Sequence, residues 1–243
     1  MSNKRTDVVG IGAVSWDRFL VVPWFPIPRD KIRAIRTEES AGGAVSTALV
    51  ALRRWGLNCR YIGVLGYDEG SDRIVEDLVR EEIVLDGLVR RSDAEAKCNT
   101  IIVDNRTGGR CVIQSPHRVS PLDTREIRPE LFAGARVLHL DTSEEECALD
   151  VAKMAKSAGL TVTLEANSVT PKVRDLLRAA DYVIAPRSFA EEFTHQDNPS
   201  RAAYALHLLA EKPVVITDGA NGSYFQSAGP RVSSARVRST GGG

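Results

Sequence analysis

Short apolar runs alternate with segments of helical period along most of this chain, separated by polar or glycine-rich breaks. Asp7–Val14 (DVVGIGAV) is apolar at consecutive positions and ends in small residues, which predicts a buried strand. Arg18–Ser40 carries Pro23, Pro26 and Pro28 close together. Those prolines exclude a helix and confine any strand there to a sheet edge. Over Gly43–Gly56, Val45, Leu49 and Leu52 recur at helical spacing, and Gly56 supplies a stop. Cys59–Gly66 reads as a strand. Ser71–Glu82 reads as a helix capped by Ser71, with Ile74, Leu78 and Val79 inward.

Two β-rich runs within Cys98–Gln114 flank "NRTGG", a hairpin signal. A regular rhythm follows. Strands at Arg136–Asp141, Thr161–Asn167, Asp181–Pro186 and Pro213–Gly219 alternate with helices at Glu144–Gly159, Thr170–Ala180, Ser188–His195 and Ser200–Glu211. "GSYFQSA" and "RVSSARVRS" are β-like again. Such alternation predicts a parallel sheet covered on both faces. Ligands on such sheets bind beyond the carboxyl ends of the strands. Chemistry is therefore expected near Ala13–Asp17, Asp141, Glu165–Asn167, Ala185–Arg187 and Thr217–Gly219. The proline-rich segment and the hairpin break the rhythm and predict a small separate β layer.

Composition narrows the function classes. The chain has 243 residues, 43% of them apolar and 26% charged, enough for one large domain or two small ones. Lys plus Arg and Asp plus Glu number 32 each, so no broad positive field exists to capture nucleic acid or an anionic membrane. The four cysteines, Cys59, Cys98, Cys111 and Cys147, form no Cys-x-x-Cys pair, which argues against a zinc or thioredoxin-like motif. No segment approaches the roughly 18 apolar residues of a membrane span. A cytoplasmic location with reduced thiols is expected.

Four stretches carry candidate chemistry. Gly10-Ile-Gly12 begins like a dinucleotide fingerprint, but Ser15 stands where the third glycine belongs and no helix follows. What remains is the polar pair Ser15 and Asp17, which fits a capped turn as well as a ligand site. In "GGAVSTALVALRRWG", Gly42 and Gly43 open a helix and bare its N–H groups. In "VVITDGANGSYF", the turn Thr217–Gly222 suits close approach to a nucleotide or a tight hairpin. The final "STGGG" has the composition of an anion-binding loop or of a frayed tail.

The order of these stretches closely resembles the ribokinase-like (PfkB-type) carbohydrate kinase family over almost the whole chain. "GGAVSTALVALRRWG" is similar to that family's N-terminal signature, and "RSTGGG" to the start of its C-terminal one. The resemblance implies a three-layer α/β/α fold with a mostly parallel sheet and a small β-rich lid. It implies a single domain over 1–243, incomplete at its C-terminus, with lid inserts at about 16–41 and 97–115. It implies transfer of the γ-phosphoryl group of ATP to a hydroxyl of a sugar or nucleoside, with Mg2+ and a monovalent cation as cofactors. Such transfer is mostly positioning and charge stabilisation. Substrate contacts carry over to Asp17, Gly42, Gly43 and Thr47, and nucleotide contacts to Asn167, Thr217, Gly219 and Gly222. The anion hole carries over to Gly241, Gly242 and Gly243, and homodimerisation through the lid is a further expectation.

The chain also departs from the family pattern. The family's catalytic base directly follows the glycine run, a position after Gly243, so little or no kinase activity is expected of this polypeptide. Thr47 replaces an Asn, Arg238 replaces an Asp, and Arg187 stands where an Asn belongs, with Glu191 and Glu192 shifted. A non-catalytic sugar- or nucleotide-binding relative is the alternative. His139 is expected to be a packed core histidine, Asp141 a helix cap, and Arg106 part of a solvated turn. Trp16, Trp24 and Phe25 are expected to pack rather than to stack on a sugar.

Overall fold

The computed structural model describes residues 5–118, 120–227, 229 and 232–235. In chain order the elements begin with strands β1 (Val8–Ile11), β2 (Ser15–Val22) and β3 (Arg36–Gly42). Helix α1 (Ala44–Arg54), strand β4 (Cys59–Leu65), helix α2 (Glu69–Arg80) and strand β5 (Val84–Arg90) follow. Next are β6 (Cys98–Asp104), β7 (Arg110–Gln114), β8 (Val137–Asp141), α3 (Glu145–Ser157) and β9 (Thr161–Glu165). The last are α4 (Val173–Ala179), β10 (Tyr182–Pro186), α5 (Arg187–Thr194), α6 (Pro199–Ala210), β11 (Val214–Thr217), β12 (Ser223–Gln226) and β13 (Ser233–Ala235). The chain divides into two compact units: Met1–Thr6 with Gly12–Leu122, and Asp7–Ile11 with Asp123–Gly243.

The second unit carries the regular rhythm. Its strands lie in the order β13-β12-β11-β10-β9-β8-β1. Strands β1 and β8 to β11 run parallel, in register from Gly10 opposite His139 to Pro186 opposite Thr217. Only β12 and β13 are antiparallel additions. This is the expected α/β architecture with a mostly parallel sheet. Consecutive residues are buried in the strands β1 and β8, as a covered sheet requires, whereas β9 to β11 bury alternate apolar residues: Val162, Leu164, Val183, Ala185, Val214 and Ile216. Helix α6 starts where Asn198 accepts from the N–H groups of Ser200 (3.0 Å) and Arg201 (3.1 Å), with Pro199 at its first position.

The first unit contains the parallel pair β4–β5, helices α1 and α2, and a separate sheet in the order β3-β2-β6-β7. The proline-rich segment and the hairpin supply that separate sheet. One expectation is corrected here. Strand β2 is interior, between β3 and β6, because it ends at Val22, before the first proline. Strand β5 is one that the pattern does not predict. Asp86 and Gly87 are poor strand formers. Here, however, Asp86 accepts from Arg60 Nε at 2.7 Å, and Gly87 lies opposite Ile62.

Helix α2 also starts earlier than predicted. Asp68, not Ser71, is its cap: Asp68 Oδ1 accepts from Ser71 N (3.1 Å), and Oδ2 accepts from Ser71 Oγ (2.7 Å) and Ala96 N (3.1 Å). Ser71, Ile74 and Leu78 form the buried stripe, three and four residues apart. Val79 falls beside that stripe and is exposed. Similarly, Val45 and Leu49 of α1 are buried while Leu52 is half-buried.

Candidate functional site

Candidate residues gather in two clusters, one in each unit. In the first unit, β2 turns Ser15 and Asp17 to one face, and Asp17 lies opposite Ser40 of β3 and Asn99 of β6. Asp17 Oδ1 accepts from Ser15 Oγ (2.8 Å) and from Asn99 Nδ2 (2.7 Å). Asp17 and Asn99 are each only 9% exposed. The other carboxylate oxygen, Oδ2, overlies Gly42: a Cβ there would lie 2.0 Å from it. Gly43 is the residue before α1, with φ of 99°, and a Cβ on it would meet the Ala13 carbonyl oxygen at 2.5 Å. Both glycines are therefore required by space, and the second by conformation too.

The loop before β2 is tied down from below. Tyr61 donates its hydroxyl to the Gly12 carbonyl at 3.0 Å, and Ser46 N donates to the Ala13 carbonyl at 3.4 Å. Ser46 Oγ also donates to the Gly42 carbonyl. The structure thus brings Asp17, Gly42 and Gly43 together. Thr47 sits on the first turn of α1 with its side chain exposed. Asn99 is the residue that sequence reading missed. Its signal is a polar side chain on a buried-facing position of the β-run Cys98–Asp104.

In the second unit, β11 ends at Thr217, and a loop returns to β12 with Thr217 opposite Ser223. Asp218 N donates to the Gly222 carbonyl (2.8 Å), and Gly222 N donates to Gly219 O (3.0 Å). Gly219 has φ of 51° and Gly222 has φ of 97°. The loop is thus a hairpin connection that needs glycine twice. Arg187, directly after β10, donates through Nε to Glu191 (2.5 Å), through a terminal nitrogen to Asp218 (3.3 Å), and through the other to the Asp197 carbonyl (3.2 Å). Asn167 is exposed and accepts from the Thr142 hydroxyl. Gly241, Gly242, Gly243 and Arg238 lie outside the described residues.

The buried polar groups of the second unit have structural roles. His139 is buried, with Nδ1 2.9 Å from Thr163 Oγ1, and burial pushes its pKa below the usual imidazole value. Asp141 is fully buried and accepts from Ser143 N (2.8 Å) and Ser143 Oγ (2.5 Å). Asp141 does not cap α3, which corrects the expectation: that helix begins after Glu144, too far along the chain, and has no side-chain cap. Burial first, then the neighbouring Asp141, raises the Glu165 carboxyl.

The tempting aromatic and basic residues of the first unit are similarly occupied. Trp16 packs under Arg73, whose guanidinium carbon is 5.8 Å from the ring centre. Half-exposed Trp24 donates to Asp30 at 3.4 Å. Arg106 stands exposed, 3.8 Å from Asp104.

Among the described residues, no three His, Cys, Asp or Glu side chains gather to hold a metal ion. In the second cluster the Arg187 guanidinium engages both Glu191 and Asp218. Both carboxylates are thus held by a guanidinium. All four cysteines are thiols outside any disulfide, and burial pushes the Cys147 thiol up to about 12. Among the described residues, no helix is long and apolar enough to cross a membrane.

Comparisons with known proteins agree with this fold. The profile of the pfkB family of carbohydrate kinases matches residues 5–240. A crystal structure of a candidate ribokinase from Agrobacterium tumefaciens superimposes with a TM-score of 0.88 at 26% identity, covering 97% of this chain and 78% of that one. Arabidopsis thaliana ribokinase, solved with ribose and ATP, gives a TM-score of 0.75 at 18% identity over 96% of this chain and 78% of that one. The bifunctional ribokinase/ribose-5-phosphate isomerase A of Fructilactobacillus sanfranciscensis is 23% identical over 90% of this chain. The chain spans 42% of the length of that curated relative.

Proposed function

This chain belongs to the pfkB family of carbohydrate kinases, and from that premise we propose that it acts as an ATP-dependent phosphotransferase on a sugar or nucleoside hydroxyl. Asp17, Gly42, Gly43 and Thr47 hold the acceptor. Thr217, Gly219, Gly222 and Asn167 hold the nucleotide. The reaction breaks the bond between Pγ and the β,γ-bridging oxygen of ATP as the acceptor oxygen bonds to Pγ, and the hydroxyl proton passes to water, yielding ADP and a phosphate ester. Protein groups contribute mainly by positioning and by bare N–H donors.

The observation that carries this reading is the buried carboxylate of Asp17 seated over Gly42. A buried carboxylate with one oxygen saturated by protein donors and the other over a Cα is an acceptor built for a hydroxyl. ATP supplied with a panel of sugars and nucleosides tests the proposal: sugar-dependent ADP release supports it and overturns the expectation of an inactive chain, whereas the absence of both ADP release and sugar binding sinks it. Binding without ADP release identifies instead a binding relative. Arg187, salt-bridged to Glu191 and Asp218, is the feature that favours this second reading.

A further inference from the structure

The end of the separate sheet that lies away from Ser15 carries a loop both apolar and basic. Residues 23–35 join β2 to β3 there. Trp24 is 50% exposed, Ile27 68% and Ile35 56%, a large apolar surface for one short loop. Arg29, Lys31 and Arg33 are exposed between them. The turn before β7 adjoins this loop. Asn105 N donates to the Val22 carbonyl at 2.9 Å, and a Cβ on Gly109 would lie 3.3 Å from the Phe25 ring. That turn adds exposed Arg106 and Arg110.

Charge at this end is one-sided. Arg29, Lys31, Arg33 and Arg110 form no ion pair among the described residues. The neighbouring acids are turned to N–H groups. Asp30 accepts from Ile27 N (3.1 Å) and Trp24 Nε1 (3.4 Å), and buried Asp104 accepts from Arg106 N (2.8 Å) and Thr107 N (3.3 Å). The even charge of the whole chain hides this local excess. Backbone geometry adds a second sign. Asp30 N donates to the Ile27 carbonyl (3.0 Å), closing a turn over Pro28 and Arg29, and Arg29 has φ of 80°. Glycine takes that conformation without strain. A strained arginine kept at the tip points to a use for its guanidinium.

We infer that this end of the sheet is a docking surface for an anionic lipid bilayer. Trp24, Ile27 and Ile35 enter the boundary between headgroups and acyl chains, and the cations meet the headgroup charge. A second copy of the chain brings like charge against like. Nucleic acid uses cations and rings but gives Ile27 and Ile35 nothing to do. Asp17 lies about 16 Å back along β2 at the usual strand rise, so the acceptor cluster is not involved.

Flotation of the full chain with vesicles tests this, using phosphatidylcholine alone and phosphatidylcholine with an equal part of phosphatidylserine. Binding to the anionic vesicles is expected to be about tenfold or more tighter, and to weaken as salt is added. Brominated acyl chains should quench the fluorescence of wild type more than that of Trp24→Phe. The triple variant Arg29→Ser, Lys31→Ser, Arg33→Ser and the double variant Ile27→Ser, Ile35→Ser should each bind about tenfold more weakly. Thermal melts check that both variants fold. Failure to float with either vesicle overturns the inference, as does equal binding to both or a folded variant that binds like wild type. Binding of an oligouridylate without binding of vesicles overturns it in favour of nucleic acid.

Discussion

Asp17 and Gly42 share one volume: a Cβ on Gly42 would sit 2.0 Å from Asp17 Oδ2 and 2.5 Å from Cγ. Gly42→Ala must therefore expel the carboxylate from its seat and break its bonds to Ser15 and Asn99. We expect acceptor affinity to fall by about tenfold or more, and stability by about 1–3 kcal/mol, as overpacking does. Calorimetry with the tightest-binding sugar and urea unfolding measure the two effects. Unchanged affinity would place the acceptor elsewhere.

The same pair shows what the sequence discloses and what it hides. Glycines before a helical run and an Asp after a strand are visible in the string of residues, as is the strand–helix rhythm from Arg136 to Gly219. The seating of Asp17 over Gly42 depends on pairing β2 with β3, residues far apart in sequence. Asn99 is harder still, because only the parallel register of β2 with β6 puts it opposite Asp17. The failed expectations have the same cause. Ser71 looks like a cap until the loop at Ala96 folds back onto Asp68. β5 looks unlike a strand until Arg60 pairs with Asp86. Periodicity is local, whereas these contacts are made by topology.

Asp68 joins two segments of the first unit, the start of α2 and the loop at Ala96. Burial alone would raise its pKa, but the donors at Ser71 and Ala96 outweigh it and hold the carboxyl below its ordinary value. Asp68→Ala is expected to destabilise by about 1–2 kcal/mol, as cap removal does. The sign with pH follows from the depressed folded value. The stabilisation is full above the unfolded pKa of about 3.9 and is lost as pH falls through the folded one. Urea midpoints of wild type and Asp68→Ala should differ at pH 7 and converge in acid. A constant gap would show that the charge is irrelevant.

His139 should make the protein acid-sensitive at a higher pH. Burial lowers its folded pKa, with Asp141 opposing more weakly, and Nε2 has no partner among the described residues to stabilise a proton. The unfolded chain therefore takes up a proton near pH 6.5 while the folded one resists. Stability declines as pH drops below that point, until the folded pKa is passed. Replacing it by Gln should flatten the decline between about pH 7 and pH 5. An equally steep decline in His139→Gln would assign the sensitivity to other groups.

Arg187 bridges Glu191 and Asp218 beside the Thr217–Gly222 loop. Its side chain is 39% exposed, so water screens these pairs and removal should lower stability by less than about 1 kcal/mol. Removal also frees two carboxylates next to the proposed phosphate path. ATP affinity in Arg187→Ala should drop about two- to fivefold, with sugar affinity unchanged. Tighter ATP binding would mean that the guanidinium obstructs the site instead of serving it.

The separate sheet has two edges of different character. β3 presents Arg36, Glu38 and Glu39, and charges of this kind discourage strand addition. β7 presents Arg-Cys-Val-Ile-Gln with every residue exposed, including Val112 at 46% and Ile113 at 52%. An apolar edge of this kind pairs with another strand when one is available, and a second copy of the chain always carries one. We expect sedimentation equilibrium to show a dimer through β7. The double variant Val112→Lys, Ile113→Lys should be monomeric with an unchanged melting temperature, because neither side chain is buried in the subunit. A wild-type protein that stays monomeric up to high concentration would show that the edge is protected in some other way.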